Sequence, residues 1–233
     1  MLLRRAGAPV LALGLLVAPV LAGCSGGSDE SPTQLLSRAK TTLDDARSVH
    51  FVLDSDNAPT TGTALLGGEG DVLRPASFEG TLKVLTGGNT VDLGVVSVEH
   101  TVYVKLPFLG GYSVVDPARY GLGDPGALLD PDTGISQLLA KAEDARLGDE
   151  KRVDGEVVQE VTAQLPGDLV QQVLTSQDPG TPVRARFSVA TDSGELRRAE
   201  LTGPFYEAGS DATFTVRLSD FGDDVQITAP PTG

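Results

Sequence analysis

Few side chains of this chain are suited to covalent or acid–base chemistry. Cys24 is the only cysteine among 233 residues, so its thiol has no partner for an intramolecular disulfide. His50 and His100 are the only histidines, and each lies beside apolar residues without the paired spacing of a metal site. No Gly-x-Ser-x-Gly sequence stands between a predicted strand and a predicted helix, where a nucleophilic serine would be held. The sequence therefore predicts no catalytic residue, no metal ligand and no cofactor.

The acidic residues near position 130 supply the oxygen ligands that Ca²⁺ prefers. Asp130, Asp132 and Thr133 lie within four positions of one another. Pro131 and a helix start after it explain the same residues as turn and N-cap chemistry. We therefore favour a structural role for these side chains.

The segment that precedes Cys24 has the layout of a secretory signal peptide. Arg4 and Arg5 are followed by an apolar run, Val10–Leu21, and then by small residues. This run is shorter than the roughly 20 residues of a membrane-spanning helix. Leu21-Ala22-Gly23-Cys24 also resembles the bacterial lipobox, in which the cysteine is diacylated and becomes the new N-terminus; the alternative is an ordinary signal peptide with a chance cysteine.

The lipobox resemblance implies a place in the cell. Residues 1–23 are expected to be removed, and a lipid on Cys24 is expected to anchor the protein to the outer, extracytoplasmic face of the cell membrane. Two acyl chains hold a protein on a membrane stably, whereas one binds only marginally. Residues 24–32 are small and polar, which predicts a flexible tether.

Composition restricts the remaining chain, residues 33–233, which we expect to be one domain. Residues 1–23 contain two arginines and no acidic residue, so their removal changes the formal net charge from −14 to −16. Such a surface repels phosphate backbones and argues against a nucleic-acid partner. Hydrophobic residues make up 40% of the chain, as in folded proteins, but aromatic residues only 5%. A core of Val, Leu and Ala should follow.

The periodicity of the apolar residues predicts mixed α and β structure. Ser31-Pro32 begins a helix that reaches about Arg47, and the region Pro125–Leu147 contains a second helix capped by Asp132-Thr133. A short third helix is predicted for Gly167–Leu174.

Alternating apolar residues predict eight to ten strands, with a phase slip at Val95-Val96 that suggests a bulge. The Asn57–Gly70 stretch is a loop or a glycine-weakened edge strand. Further strands are expected at Val183–Ala190, Glu195–Leu201, Thr213–Ser219 and Val225–Thr228. The predicted fold class is α+β, with a single large curved antiparallel sheet and helices packed on one face.

The same alternation gives one face of this sheet an apolar, mostly aliphatic surface. By strand phase and helical spacing, the residues expected to face the interior are Leu82, Val84, Val91, Leu93, Val95, Val102, Val104, Ile135, Leu138, Leu139 and Ala142. Periodicity alone favours a fully packed core, because alternating Val and Leu is what any half-buried sheet shows. Small inward side chains would also leave room for a fatty acyl chain, which gains about 0.8 kcal/mol per methylene removed from water.

Several segments resemble the LppX, LprA, LprF and LprG family of actinobacterial cell-envelope lipoproteins, and its LprG branch most. Besides the lipobox, they are Val49–Leu53, the Gly87-Gly88 turn, Asp116–Ala118, Leu129–Ile135 and Leu218–Thr228. The resemblance implies a half-barrel sheet curled around helices, with an apolar cavity between them for an acylated lipid or glycolipid. It also implies carriage of that lipid across the envelope, beside a membrane lipid exporter.

Two rival hypotheses remain at this point. One is a lipoprotein with a packed interior that acts as an assembly or partner-binding factor for an exporter, and the other is a hydrolase with an unrecognised serine. The loop Pro107–Tyr112 concentrates rings beside two glycines, which suggests a lip at a cavity mouth or a membrane-touching tip. A plain hairpin with buried rings is the alternative for this loop.

Overall fold

The computed structural model describes residues 30–107, 110–120 and 123–232. Cys24, the predicted signal peptide, most of the predicted tether, Phe108 and Leu109 lie outside the described residues. Eleven strands form one antiparallel sheet in the order β6-β5-β4-β3-β2-β1-β11-β10-β9-β8-β7. The strands are β1 Ser48–Asp56, β2 Ala64–Leu73, β3 Ser77–Thr86, β4 Asn89–Val98, β5 Thr101–Lys105, β6 Ser113–Val115, β7 Glu143–Val153, β8 Glu156–Leu165, β9 Val183–Ala190, β10 Leu196–Glu207 and β11 Ser210–Ser219.

Neighbouring strands are sequential everywhere except where β1 pairs with β11, and the sequential strands β6 and β7 form the two edges of the sheet. That pairing joins an N-terminal meander, β1 to β6, to a C-terminal meander, β7 to β11. The helices are α1 Pro32–Asp45, α2 Ser136–Ala140 and α3 Gly167–Val170, with short 3-10 helices at Pro117–Tyr120 and Pro125–Leu129. No helix of the described ranges is long and apolar enough to cross a membrane.

Helix α1 begins and ends as its sequence dictates. Ser31 and Gln34 form a reciprocal capping box, and Pro32 occupies the first turn, where its missing N–H costs nothing. At the other end, the guanidinium of Arg74 donates to the carbonyl oxygens of Ala46 at 2.9 Å and Leu43 at 3.2 Å. The start of the sheet thus satisfies the free carbonyls of the helix end and fixes α1 in place.

One contiguous apolar core lies between the sheet and the helices. Leu35, Leu36, Ala39 and Leu43 form the buried stripe of α1, and they pack in one cluster with Leu138 and Leu139 of α2. The inward residues of both meanders join the same cluster. The predicted α+β class, with a single antiparallel sheet and helices on one face, is therefore confirmed.

The predicted element bounds are partly wrong. The second helix divides into the 3-10 helix Pro125–Leu129, a turn, and the five-residue α2, so its cap is not Asp132-Thr133. The third helix ends at Val170, and Val225–Thr228 forms no strand. Pairing of β3 with β4 and of β4 with β5 runs without a register shift, so no bulge exists at Val95-Val96. Both of these valines are buried because β4 is covered on both faces there.

Two strands differ from the sequence prediction for a physical reason. β2 lies inside the sheet between β1 and β3 rather than at an edge, although it contains Gly67, Gly68 and Gly70. β7 is an edge strand whose residues are almost all exposed, so it has no apolar alternation to detect. Pairing with neighbours, which sequence periodicity does not report, forms both strands.

Candidate functional site

The candidate site is the inner face of β2 to β5, where it meets the helices. The register places Leu82 opposite Leu93 and Val95 opposite Val104, which confirms that these residues share a face. Phe78, Ser97, Val95 and Val102 on this face are at most 4% exposed. They form the closed end of the site, beneath the 3-10 helix Pro125–Leu129.

Burial decreases along the inner face of β4 and β5 toward the hairpin at Gly87-Gly88, whereas Val84 of β3, near the same hairpin, is only 9% exposed. Leu82, Leu93 and Val104 pack against the core but are only partly buried, as is Leu65 at the start of β2. These side chains lie one step along the strands from fully buried neighbours. The inner face of β4 and β5 therefore changes from a packed core to a partly exposed apolar surface.

Helix α2 packs against α1 and joins the same core cluster as the inner face. Leu138 and Leu139 are each 3% exposed and point into the core, whereas Ile135 and Ala142 at the two ends of the helix are partly buried. The helix spans five residues and has no side-chain N-cap. The buried hydroxyl of Ser136 has no hydrogen-bond partner among the described residues.

Two of the eleven predicted lining residues are placed differently from the rest. Val84 lies opposite Val91, and neither joins the core cluster. Val91 instead lines a surface pocket of about 350 Å³ with Asp92, Gly94 and Lys105. Both valines lie beside the Gly87-Gly88 hairpin, where Val84 is still buried, at 9% exposed, and Val91 is partly exposed.

Glycines at the centre of the sheet were missed by the sequence reasoning. Gly70 pairs with Gly80, and a Cβ on Gly80 would lie 2.2 Å from the oxygen of Glu69 and 2.7 Å from Cζ of Phe78. The Phe78 ring, 5.6 Å from that of Phe51, covers the two glycines. Glycines at alternate strand positions beside an aromatic residue are the sequence signal for such a close approach.

Each of the two histidines is paired with an aspartate. His50 Nδ1 lies 2.8 Å from Asp71, and His100, in the turn between β4 and β5, lies 3.2 Å from Asp124. Ser97 donates to the same Asp124 carboxylate at 2.6 Å, so the aspartate stands between the serine and the histidine. A Ser-His-Asp triad needs the histidine in that middle position to take the serine proton. Ser97 is also fully buried, so this trio fixes the 3-10 helix to β4.

The acidic loop near residue 130 forms a turn that is held by hydrogen bonds to the Asp130 side chain. The Asp130 carboxylate accepts hydrogen bonds from the backbone of Asp132 at 2.9 Å and from the backbone and hydroxyl of Thr133 at 2.8 and 3.0 Å. The Asp132 backbone bond is the main cause of the lowered pKa of Asp130. Among the described residues, no group of three or more His, Cys, Asp and Glu side chains is arranged to hold a metal ion.

Comparisons with known proteins agree with this architecture. Residues 31–227 match the family model of the LppX_LprAFG lipoproteins. The chain is similar to the lipoarabinomannan carrier protein LprG of Mycobacterium tuberculosis, with 29% identity over 231 residues that cover 95% of this chain and 94% of the relative. Its similarity to the putative lipoprotein LprA of the same species is 26% over 249 residues, which cover 95% and 96% of the two chains.

Two solved structures have the same fold. The crystal structure of LprF from Mycobacterium bovis superposes with a TM-score of 0.71 at 21% identity and covers 87% of this chain and 97% of its own. The crystal structure of the Mycobacterium tuberculosis lipoprotein LppX gives a TM-score of 0.63 at 18% identity, with coverage of 86% and 100%. At these identities the comparison establishes the shared sheet and helix arrangement.

Proposed function

Because this chain belongs to the LppX_LprAFG lipoprotein family, we propose that it is a membrane-anchored, non-enzymatic carrier of an acylated lipid or glycolipid. The acyl chains lie between the inner face of β2 to β5 and helix α2. The polar head stays in solvent at the open end, near the Gly87-Gly88 hairpin. The name of the relative LprG, a lipoarabinomannan carrier, supports a glycolipid as the ligand class.

The decrease in burial along β4 and β5 toward the Gly87-Gly88 hairpin is the observation that carries this proposal. Leu82, Leu93 and Val104 present aliphatic side chains that are only partly covered, although they continue a closed core. Each methylene of an acyl chain removed from water there contributes about 0.8 kcal/mol. A lipid would extend the existing core without needing any charged or catalytic group in the wall.

Lipid exchange requires that the site open, and α2 is suited to that movement. The helix spans only five residues and lacks a side-chain N-cap. It also buries the Ser136 hydroxyl, which has no hydrogen-bond partner among the described residues. Each of these features lowers the free energy needed to displace it. We therefore propose that Ile135–Ala142 moves away from the sheet when a lipid enters or leaves, as one state of a pre-existing equilibrium.

Anchoring completes the proposed function. A diacylated Cys24 would hold the domain at the outer face of the cell membrane, with residues 24–32 as the tether. A carrier in that position would take lipid from the membrane and pass it across the envelope, beside a membrane lipid exporter.

Mass spectrometry of co-purifying lipid tests the proposal. The mature chain with Cys24 removed is produced in an actinobacterial host. Lipids extracted from the purified protein are identified by their masses and quantified relative to the protein. We expect an acylated lipid in stoichiometric amount. A folded protein that brings no lipid, and takes up none from mixed micelles, would instead be a partner-binding lipoprotein with a packed interior.

A further inference from the structure

The outer face of the C-terminal meander carries a polar groove on the opposite side of the sheet from the proposed lipid site. The groove encloses about 360 Å³ and crosses β7 to β10. Three arginines, Arg146, Arg184 and Arg186, line it together with Thr162 and other polar side chains. Such a concentration of cations is unexpected on a chain with 32 acidic and 18 basic residues.

The strand register arranges these side chains as a clamp. Arg146 of β7 is paired with Thr162 of β8, and Thr162 is paired in turn with Arg186 of β9. The two arginines therefore stand two strand spacings apart, roughly 10 Å, with a short hydroxyl side chain on the floor between them. Arg184 projects from the same face of β9, two residues from Arg186.

The backbone of β7 is irregular on both sides of the clamp. Register shifts separate Glu143 from Arg146 and Leu147 from Glu150, and Asp144 has a φ of 52°. Bulges of this kind redirect a side chain and occur beside functional sites. Here the bulges leave the Arg146 side chain on the same face of the sheet as Thr162, at the sheet edge.

The donors of the clamp are only partly used. Within the described part of the chain, Arg146 and the Thr162 hydroxyl have no hydrogen bond or ion pair. Arg186 lies 3.6 Å from Glu200, whose other oxygen is held at 2.5 Å by Arg198. Arg184 is paired with Asp211 at 2.8 Å. Arg146 and the Thr162 hydroxyl thus remain available to a ligand, and Arg186 keeps further N–H donors beyond its contact with Glu200. Two carboxylates, those of Asp144 and Glu200, line the groove beside the three arginines.

We propose that this groove binds a phosphate group, either in the head of an anionic phospholipid or in a soluble phosphate ester. A guanidinium matches two phosphate oxygens at once, and a tetrahedral phosphate between Arg146 and Arg186 has further oxygens for Thr162. The volume suits a small head group better than an extended protein segment. The site is independent of acyl-chain binding, because it lies on the other face of the sheet.

Nuclear magnetic resonance on the mature chain with Cys24→Ser tests the site, with glycerol 3-phosphate as the probe. We expect saturable shifts of the amide signals of Thr162, Arg184 and Arg186. The double variant Arg146→Gln/Arg186→Gln should weaken binding at least about tenfold, because each charged hydrogen bond lost is worth more than one factor of ten. The matched control Arg119→Gln/Arg217→Gln removes the same charge outside the groove and should bind as the parent does.

Vesicle sedimentation identifies the source of the phosphate. Binding to vesicles with phosphatidylglycerol above that to phosphatidylcholine alone, lost in the groove variant only, assigns the site to a lipid head. Saturable binding of glycerol 3-phosphate without vesicle binding assigns it to a soluble ester. Equal losses in the two double variants, no saturable shift, or shifts produced by a polyglutamate peptide and not by glycerol 3-phosphate would each overturn the proposal.

Discussion

The hydroxyl of Tyr206 donates a 2.6 Å hydrogen bond to the carbonyl oxygen of Leu65, although β1 and β11 lie between their strands in the sheet. Three strand spacings amount to about 14 Å in a flat sheet, which is longer than a tyrosine side chain. The contact therefore requires that the sheet bend inward at its open end. Phe214, 5.5 Å from the Tyr206 ring, supports the side chain across that bend.

Removal of this bond should destabilise the curved end of the sheet. Tyr206→Phe leaves the Leu65 carbonyl without its partner, so we expect the free energy of unfolding to fall by about 1–2 kcal/mol. Urea unfolding measures the change. Tyr103→Phe is the control, because the Tyr103 hydroxyl has no hydrogen bond to any described residue. Equal losses in both variants would show that the Tyr206 bond adds nothing.

Burial raises the pKa of Tyr206 above its ordinary value of 10.0. Because the folded state holds the proton more tightly, the bond should stabilise the fold fully below pH 10 and lose that effect as the pH rises through the higher value. The difference between the parent and Tyr206→Phe should therefore shrink only in strongly alkaline buffer.

The close approach of Gly70 and Gly80 predicts a second effect on stability. Gly80→Ala places a methyl group against the Glu69 oxygen and the Phe78 ring, so we expect a loss of about 1–3 kcal/mol in the free energy of unfolding. Gly94→Ala is the control, since its nearest atoms would be 3.5 Å away. A tolerated Gly80→Ala would mean that β2 and β3 separate easily at this point.

The proposed acyl site makes a prediction about Leu82. Leu82→Trp adds bulk to the partly buried inner face and should reduce the lipid that co-purifies, while the circular dichroism spectrum stays unchanged. Thr81→Trp adds the same ring to the exposed outer face and should leave lipid occupancy as in the parent. Full lipid occupancy in a folded Leu82→Trp protein would show that Leu82 does not line the acyl site.

Asp130 should stabilise the turn before α2 in a pH-dependent way. Its pKa is lowered in the folded state, so the stabilisation is complete above the ordinary value near 3.8 and disappears as the pH falls through the lowered pKa. Asp130→Ala should cost about 1 kcal/mol at pH 7, as other lost caps do, and less at pH 3. Asp132→Ala removes a neighbouring carboxylate whose side chain caps nothing, and urea unfolding at both pH values compares the two.

The predicted anchor is tested at Cys24. Cys24→Ser should move the protein from the membrane fraction to the soluble fraction and abolish the mass added by a diacylglyceryl group. Ser25→Ala, the neighbouring substitution, should leave both unchanged. Membrane association that survives Cys24→Ser would require another anchor.

The inner-face residues were predictable because strands alternate sides strictly. Once Leu82, Val91 and Val102 were assigned to strands, the facing of their neighbours followed, and the structure agrees in register. The degree to which each of these side chains is buried could not be predicted from the alternation. Periodicity treats Val95 and Val91 alike, yet one is 3% exposed and the other lines a surface pocket.

By itself the sequence determined the local features of this protein. The capping box at Ser31, the Gly87-Gly88 turn and the alternation of the meanders each depend on residues close together in the chain. The tertiary structure alone decided the features made across strands: the pairing of β1 with β11, the interior position of the glycine-rich β2, the Tyr206 bond to Leu65 and the arginine clamp across β7 to β9. Their energy comes from contacts between strands, and the pattern within one strand does not encode such partners.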